Sequence, residues 1–173
     1  CNGPYGGDVQ TLLSVGRTLF AGIENGGISR SIDGGVSWSE ADSLLGNYRV
    51  RSIVAMDTMI FAGTQFGGVF RSVDNGTSWK NISLGINMEV HVLAVKGSII
   101  FAGTQNGVYR STNYGESWVE ASIGLNQEIY SLVMMDTILF AGTLWGSIYR
   151  SSDYGDSWVR VFSSSKNYYI NSF

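Results

Sequence analysis

The sequence predicts an all-β fold: a β-propeller built of four-stranded antiparallel blades, with four repeats plus the first strand of a fifth. Three observations carry this. Trp38, Trp79, Trp118 and Trp158 recur at intervals of 41, 39 and 40 residues, the period of a propeller blade. The same short strings return in the same order inside every interval. The composition suits short strands joined by tight turns rather than helices, with 23 glycines, one proline and 13% aromatics in 173 residues.

Each repeat opens on an apolar run: VQTLLSVG from Val9, VRSIVAMD from Val50, VHVLAVKG from Val90 and IYSLVMMD from Ile129. These runs are nearly continuous in apolar residues, which predicts strands buried on both faces. Next come LFAGIENGGISRS, IFAGTQFGGVFRS, IFAGTQNGVYRS and LFAGTLWGSIYRS, each read as a strand, a glycine-bearing turn and a third strand. An octet then turns the chain into a fourth strand: SIDGGVSW from Ser31, SVDNGTSW from Ser72, STNYGESW from Ser111 and SSDYGDSW from Ser151. The repeats span about 8–47, 48–87, 88–126 and 127–166, and 167–173 begins a fifth, because INSF aligns with VRSI. Residues 1–173 thus read as a single propeller domain or propeller segment. A lone first strand would leave backbone groups unpaired, so the expectation is a homo-oligomer or part of a larger propeller.

The octet reads as a folding device. Asp33, Asp74 and Asp153 can accept bonds from backbone N–H groups one or two residues ahead, as in an Asx turn, and Asn113 can do the same in the third copy. The glycine that follows supplies a left-handed position. Trp38, Trp79, Trp118 and Trp158 each bury a large ring between neighbouring blades. A catalytic residue is needed once per site, not once per blade. A calcium loop would need a bidentate Glu at a spacing that the octets do not offer, so no metal and no cofactor is expected. Arg30, Arg71, Arg110 and Arg150 recur at one position of the third strand and read as a repeated contact with the neighbouring turn.

In a repeat protein, positions that vary between equivalent sites are free for function. The second residue of the opening strand varies (Gln10, Arg51, His91, Tyr130, Asn171), as does the residue before it (Asp8, Arg49, Glu89, Glu128, Tyr169). By analogy with propellers, both positions face the central channel at one end. The turn tips vary too: Glu24, Phe66, Asn106 and Trp145. The ligand-binding candidates are therefore Arg51, His91, Tyr130, Glu89, Glu128 and Trp145. No residue is assigned as catalytic, although Glu89 and Glu128 are the pair a glycoside hydrolase would use.

A net charge of −3 with 11 Lys and Arg gives no basic field, so no nucleic-acid partner is expected. No apolar run is long enough to cross a bilayer. The sole cysteine, Cys1, is open to three readings: a processed chain end, a lipid anchor of the bacterial lipoprotein kind, or a reactive nucleophile that lacks an adjacent base.

The four S-x-D-x-G-x-x-W octets resemble the Asp-box, or BNR, repeat of sialidases, other glycoside hydrolases, sortilin-type receptors and Ycf48-type photosystem II assembly factors. The resemblance covers most of the chain. It implies a propeller whose boxes lie at the blade periphery, away from the active face. It also implies an exported bacterial protein: extracellular, periplasmic or cell-surface. A sialidase would need an arginine triad, a Tyr–Glu nucleophile pair, an Asp acid/base and an Arg-Ile-Pro motif, and the only proline is Pro4. The reading is a non-enzymatic extracytoplasmic module that binds or scaffolds a glycan or protein partner. Part of a sialidase-like glycoside hydrolase, or a structural self-assembling repeat protein, are the alternatives.

Overall fold

The computed structural model describes residues 3–4, 6–83 and 89–164. Cys1 and the proposed fifth strand at 167–173 lie outside the described residues. The first blade holds β1 (Val9–Val15), β2 (Thr18–Ile23), β3 (Gly27–Ser31) and β4 (Ser39–Glu40). The second holds β5 (Val50–Met56), β6 (Met59–Thr64), β7 (Gly68–Ser72) and β8 (Lys80–Asn81). The third holds β9 (Val90–Lys96), β10 (Ile99–Thr104), β11 (Gly107–Ser111) and β12 (Val119–Glu120). The fourth holds β13 (Ile129–Met135), β14 (Ile138–Thr143), β15 (Ser147–Ser151) and β16 (Val159–Ser163). Each blade is an antiparallel sheet with its strands in chain order, the arrangement expected of propeller blades.

The blades stack through their inner strands: β1 against β5, β5 against β9, and β9 against β13. The glycine of each FAG string makes this possible. A Cβ on Gly63 would lie 2.7 Å from Val90 Cγ1, and one on Gly103 would lie 2.7 Å from Ile129 Cγ2, so only hydrogen fits where the next blade's inner strand crosses. The core lies between blades rather than within them. Phe20, Ile28 and Leu45 pack with Val50, Ile53 and Trp79. Phe61, Val69 and Ile82 pack with Val90, Leu93 and Trp118. Phe101, Val108 and Ala121 pack with Ile129, Leu139 and Trp158.

The octet is a closed hydrogen-bond loop, wider than an Asx turn. In the second blade Ser72 Oγ accepts from Gly76 N–H at 2.8 Å and donates to Asp74 Oδ1 at 2.8 Å. Asp74 Oδ1 also accepts from the N–H groups of Thr77 and Ser78 at 3.0 and 2.9 Å, and Oδ2 accepts from Ser78 Oγ at 2.6 Å. The acceptor therefore reaches three and four residues ahead, not one or two. The buried first serine, to which the sequence reading gave no role, ties both halves together. Asn113 substitutes as expected: its Oδ1 accepts from Ser117 N–H and its Nδ2 donates to Ser117 Oγ. Two consecutive residues are left-handed, not one; Asn75, Tyr114 and Tyr154 adopt φ near 57° just before the glycine.

Three other expectations are corrected. The inner strands are not all buried on both faces, because β1 is half-exposed to exposed along its length with no earlier blade against it. Trp79, Trp118 and Trp158 are buried between blades, but Trp38 is only half-buried for the same reason. The fourth strand begins after the tryptophan and spans only two residues in three blades. The contact expected between the arginine and the neighbouring turn is made by Arg71 and Arg110: Arg71 donates to Tyr114 O at 2.9 Å and pairs with Glu116, and Arg110 donates to Tyr154 O at 2.8 Å and pairs with Asp156.

The Ser72→Ala variant is expected to lose about 2 kcal/mol of stability, since it strands the buried Gly76 N–H. Urea unfolding checks this. A loss below about 0.5 kcal/mol would mean the serine does not hold the loop.

Candidate functional site

The end of the blades where the inner strands begin is built from a repeated backbone irregularity. In every blade the pairing of the inner strand skips its second residue: the register jumps between Val9 and Thr11, between Val50 and Ser52, between Val90 and Val92, and between Ile129 and Ser131. A bulge takes the extra residue out of the ladder register and re-aims its side chain. The bulged residues are Gln10, Arg51, His91 and Tyr130, the variable set picked out in the sequence. The turn tips lie at the same end, because the N–H groups of Glu24, Gln65 and Leu144 donate to the carbonyls of Asp8, Arg49 and Glu128.

Three blades converge there. Arg51 of the second blade pairs with Glu89 of the third at 2.7 Å. His91 of the third blade stacks on Tyr130 of the fourth, with ring centroids 4.3 Å apart and planes 19° apart. Tyr130 Oη donates to Glu128 at 3.3 Å. Five of the six sequence candidates therefore form one continuous cluster. Trp145, the sixth, stands exposed on its turn tip, one residue from Leu144, which is tied to Glu128. Two neighbours extend the rim. Arg49 pairs with Glu24 across the first blade boundary and approaches Gln65 Oε1 at 3.4 Å. Phe66 stands exposed on the second turn tip. Arg49, Glu24 and Phe66 sit at positions the sequence marks as variable, but only contact across blades shows which of them act together.

His91 is buried, and both ring nitrogens lack a hydrogen-bond partner. Burial, and secondarily the Arg51 charge, push its pKa down from 6.5 to about 4, against a smaller opposing pull from Glu128. Glu89 lies 3.7 Å from Nδ1, but Arg51 at 2.7 Å neutralises it, so the imidazole stays neutral. Burial, and then Glu128, push the Tyr130 phenol upward, so it remains a donor. The arrangement offers a neutral imidazole face, a phenol and a guanidinium whose buried Nε is unpartnered, held among fixed carboxylates.

The octets lie at the opposite end of the blades from this rim, since each follows the third strand. Serine hydrogen bonds hold Asp33, Asp74 and Asp153 near pKa 2, led by the side chains of Ser37, Ser78 and Ser157 respectively. Their oxygens are occupied within the loop. Among the described residues no group of three or more His, Cys, Asp or Glu side chains is placed to hold a metal ion, and no helix is long and apolar enough to cross a membrane.

The family description "DUF6242 beta propeller domain" matches residues 27–129, more than half of the chain. No curated protein matches the chain in sequence. Among solved structures, "YCF48 bound to D1 peptide" superposes with a TM-score of 0.77 at 15% identity, covering 100% of this chain and 59% of that one. The extracellular domain of the putative one component system BT4673 from B. thetaiotaomicron superposes at 0.75 and 13% identity, over 91% of this chain and 23% of that one. The Niastella koreensis GH74 enzyme superposes at 0.68 and 17% identity, over 85% and 28%. At these identities the likeness is one of fold, and this chain spans less than two thirds of each of those proteins.

Because the folded chain holds His91 neutral, the unfolded chain binds more protons between pH 6.5 and 4. Stability is therefore expected to fall as pH drops through that window. An NMR titration should place the His91 midpoint near 4, and His91→Gln should flatten the stability slope between those values. A midpoint near 6.5 would refute the buried neutral imidazole. The octet carboxylates lose their contribution only at lower pH, between their ordinary 3.8 and about 2.

Proposed function

We propose that this chain, which belongs to the DUF6242 β-propeller domain family, is a non-enzymatic, exported binding module whose channel rim engages a protein partner through an exposed polypeptide segment. One observation carries the reading: the bulged residues Arg51, His91 and Tyr130 of three consecutive blades meet in a single cluster with Glu89, flanked by the exposed Phe66 and Trp145. Charges of both signs suit a polypeptide's alternating donors, acceptors and charged side chains, and exposed aromatic rings are common anchors at interfaces. The octets fit the Asp-box class, whose boxes keep to the end of the blades away from the binding face.

Support also comes from the solved structures. YCF48 was captured with a D1 peptide, and the BT4673 domain is extracellular; both share this fold, and export is inferred here on that analogy. A glycan partner, or a glycoside hydrolase completed by further sequence, is the competing reading. The engagement of Glu89 by Arg51 and of Glu128 by Tyr130 favours binding over catalysis.

The test is a random peptide display library and a glycan array, probed in parallel with the wild-type chain and with Trp145→Ala and Arg51→Ala. Enriched peptides that lose at least about tenfold in affinity in both variants support the reading. Glycan binding without peptide binding would replace it with a lectin, and glycan cleavage abolished by Glu89→Gln would replace it with a hydrolase.

A further inference from the structure

One carboxylate oxygen at the rim lies between two partners. Glu89 Oε1 is 2.7 Å from Arg51 Nη2 and 3.7 Å from His91 Nδ1. It is bonded to the guanidinium of the second blade and stands about one ångström short of a bond to the imidazole of the third. Glu89 lies two residues before His91, whereas Arg51 belongs to the neighbouring blade. Arg51 holds the oxygen because that pair is charged on both sides. The groups that face the imidazole come from three blades: Arg51 from β5, Glu89 from the approach to β9, Glu128 from the approach to β13, and Tyr130 from β13.

The hydrogen-bond shortage at this rim is one-sided. The His91 side chain is 3% exposed, and neither ring nitrogen has a hydrogen-bond partner among the described residues. The other unpartnered buried side-chain atoms described at the rim are also nitrogens, Nε of Arg49 and Nε of Arg51. The carboxylates are engaged: Glu24 by Arg49, Glu89 by Arg51 and Glu128 by Tyr130. Leaving buried polar atoms unpaired is costly, so a ligand that completes the cluster brings an oxygen acceptor. The Arg51 side chain is 22% exposed and within reach of one. A carboxylate matches a guanidinium in both charge and geometry.

We propose that the rim takes a carboxylate of its partner on Arg51, that Glu89 then passes to His91, and that the imidazole takes up one proton from solvent, so that its Nδ1–H donates to Glu89. This rests on the reading of the rim as a site for a polypeptide segment. The charges balance, since the ligand brings one negative charge and the proton one positive charge. In the free chain burial and the Arg51 charge keep the imidazole neutral. In the bound chain the ligand cancels the Arg51 charge and Glu89 becomes a full ion-pair partner, which leaves burial alone opposing the proton. Arg51 holds the ligand; Glu89 and His91 are positioning residues that couple binding to protonation. Because the bound midpoint lies above the free one, affinity rises as pH falls through the bound midpoint and levels off near the free one.

NMR of the wild-type chain tests this, read at Arg51 Nε and at the imidazole of His91, the sole histidine. The probes are acetyl-glutamate amide, acetyl-diglycine and glucuronate, which carry a side-chain, a chain-end and a sugar carboxylate, with acetyl-glutamine amide as the neutral control. A peptide carboxylate is expected to shift the Arg51 Nε signal and to raise the His91 midpoint from about 4 by at least about one unit, and the neutral amide to do neither. Whichever peptide probe acts at the lower concentration tells an acidic side chain from a chain terminus. Glu89→Gln, its fold verified by circular dichroism, should bind that probe at least about threefold more tightly at neutral pH, because Arg51 has no carboxylate to release, and should show no rise of the His91 midpoint on binding. Probes that shift Arg51 but leave the His91 midpoint near 4 overturn the partner exchange, and probes that shift neither overturn the carboxylate site. A response to glucuronate alone replaces the polypeptide with an acidic glycan. Display-selected peptides that bind the rim through no carboxylate overturn the carboxylate site while the polypeptide reading stands. Carboxylates that raise the His91 midpoint while no peptide is enriched support the exchange and overturn the polypeptide reading.

Discussion

The structure depends on the close approach of each inner strand to the glycine of the preceding blade's FAG string. Gly63 and Gly103 have no room for a methyl group because Val90 and Ile129 occupy that space. This approach sets the spacing of the blades, and everything apolar follows from it. A blade of this length has no interior of its own. Its phenylalanine, its third-strand aliphatic residue and its tryptophan are buried only when a neighbour arrives, as they are at three boundaries. Stability is thus a sum over boundaries, as in other repeat proteins.

The octet is the second device, and it solves a different problem. A tight turn at the blade edge must satisfy its own backbone donors before it can present a tryptophan to the neighbour. Ser72 and Asp74 do so with neutral and charged acceptors that point inward on the loop. The tryptophan then closes the boundary, and the arginine of the earlier blade clasps the same octet from the other side. With the outer edge locked in this way, the opposite end is free to vary. The bulge at the second residue of each inner strand turns that freedom into a row of side chains at one end of the blades.

Much of this was legible because the chain repeats itself. The 41-, 39- and 40-residue intervals and the recurring strings show which positions are held by the fold, and the residues that break the repeat at Arg51, His91 and Tyr130 mark the candidate site. The bulge itself was not legible, since it is a matter of register between strands. Nor was the role of the first octet serine, whose importance comes from burial rather than from residue type. The exposure of β1 and Trp38 was likewise hidden: their residues match those of the buried copies, and only the lack of an earlier blade distinguishes them.

The sequence by itself determined the fold class, the order of the blades, the residues of each octet and the variable positions at the channel end, because periodic repetition exposes what every blade must keep. Only the tertiary structure decided which variable residues touch. Arg51 meets Glu89 and His91 meets Tyr130 across blade boundaries about 40 residues apart along the chain, and no local pattern encodes a contact between side chains of different blades. The tertiary structure also decided that equal sequences are unequally buried, since burial belongs to the boundary between two blades and not to either blade alone.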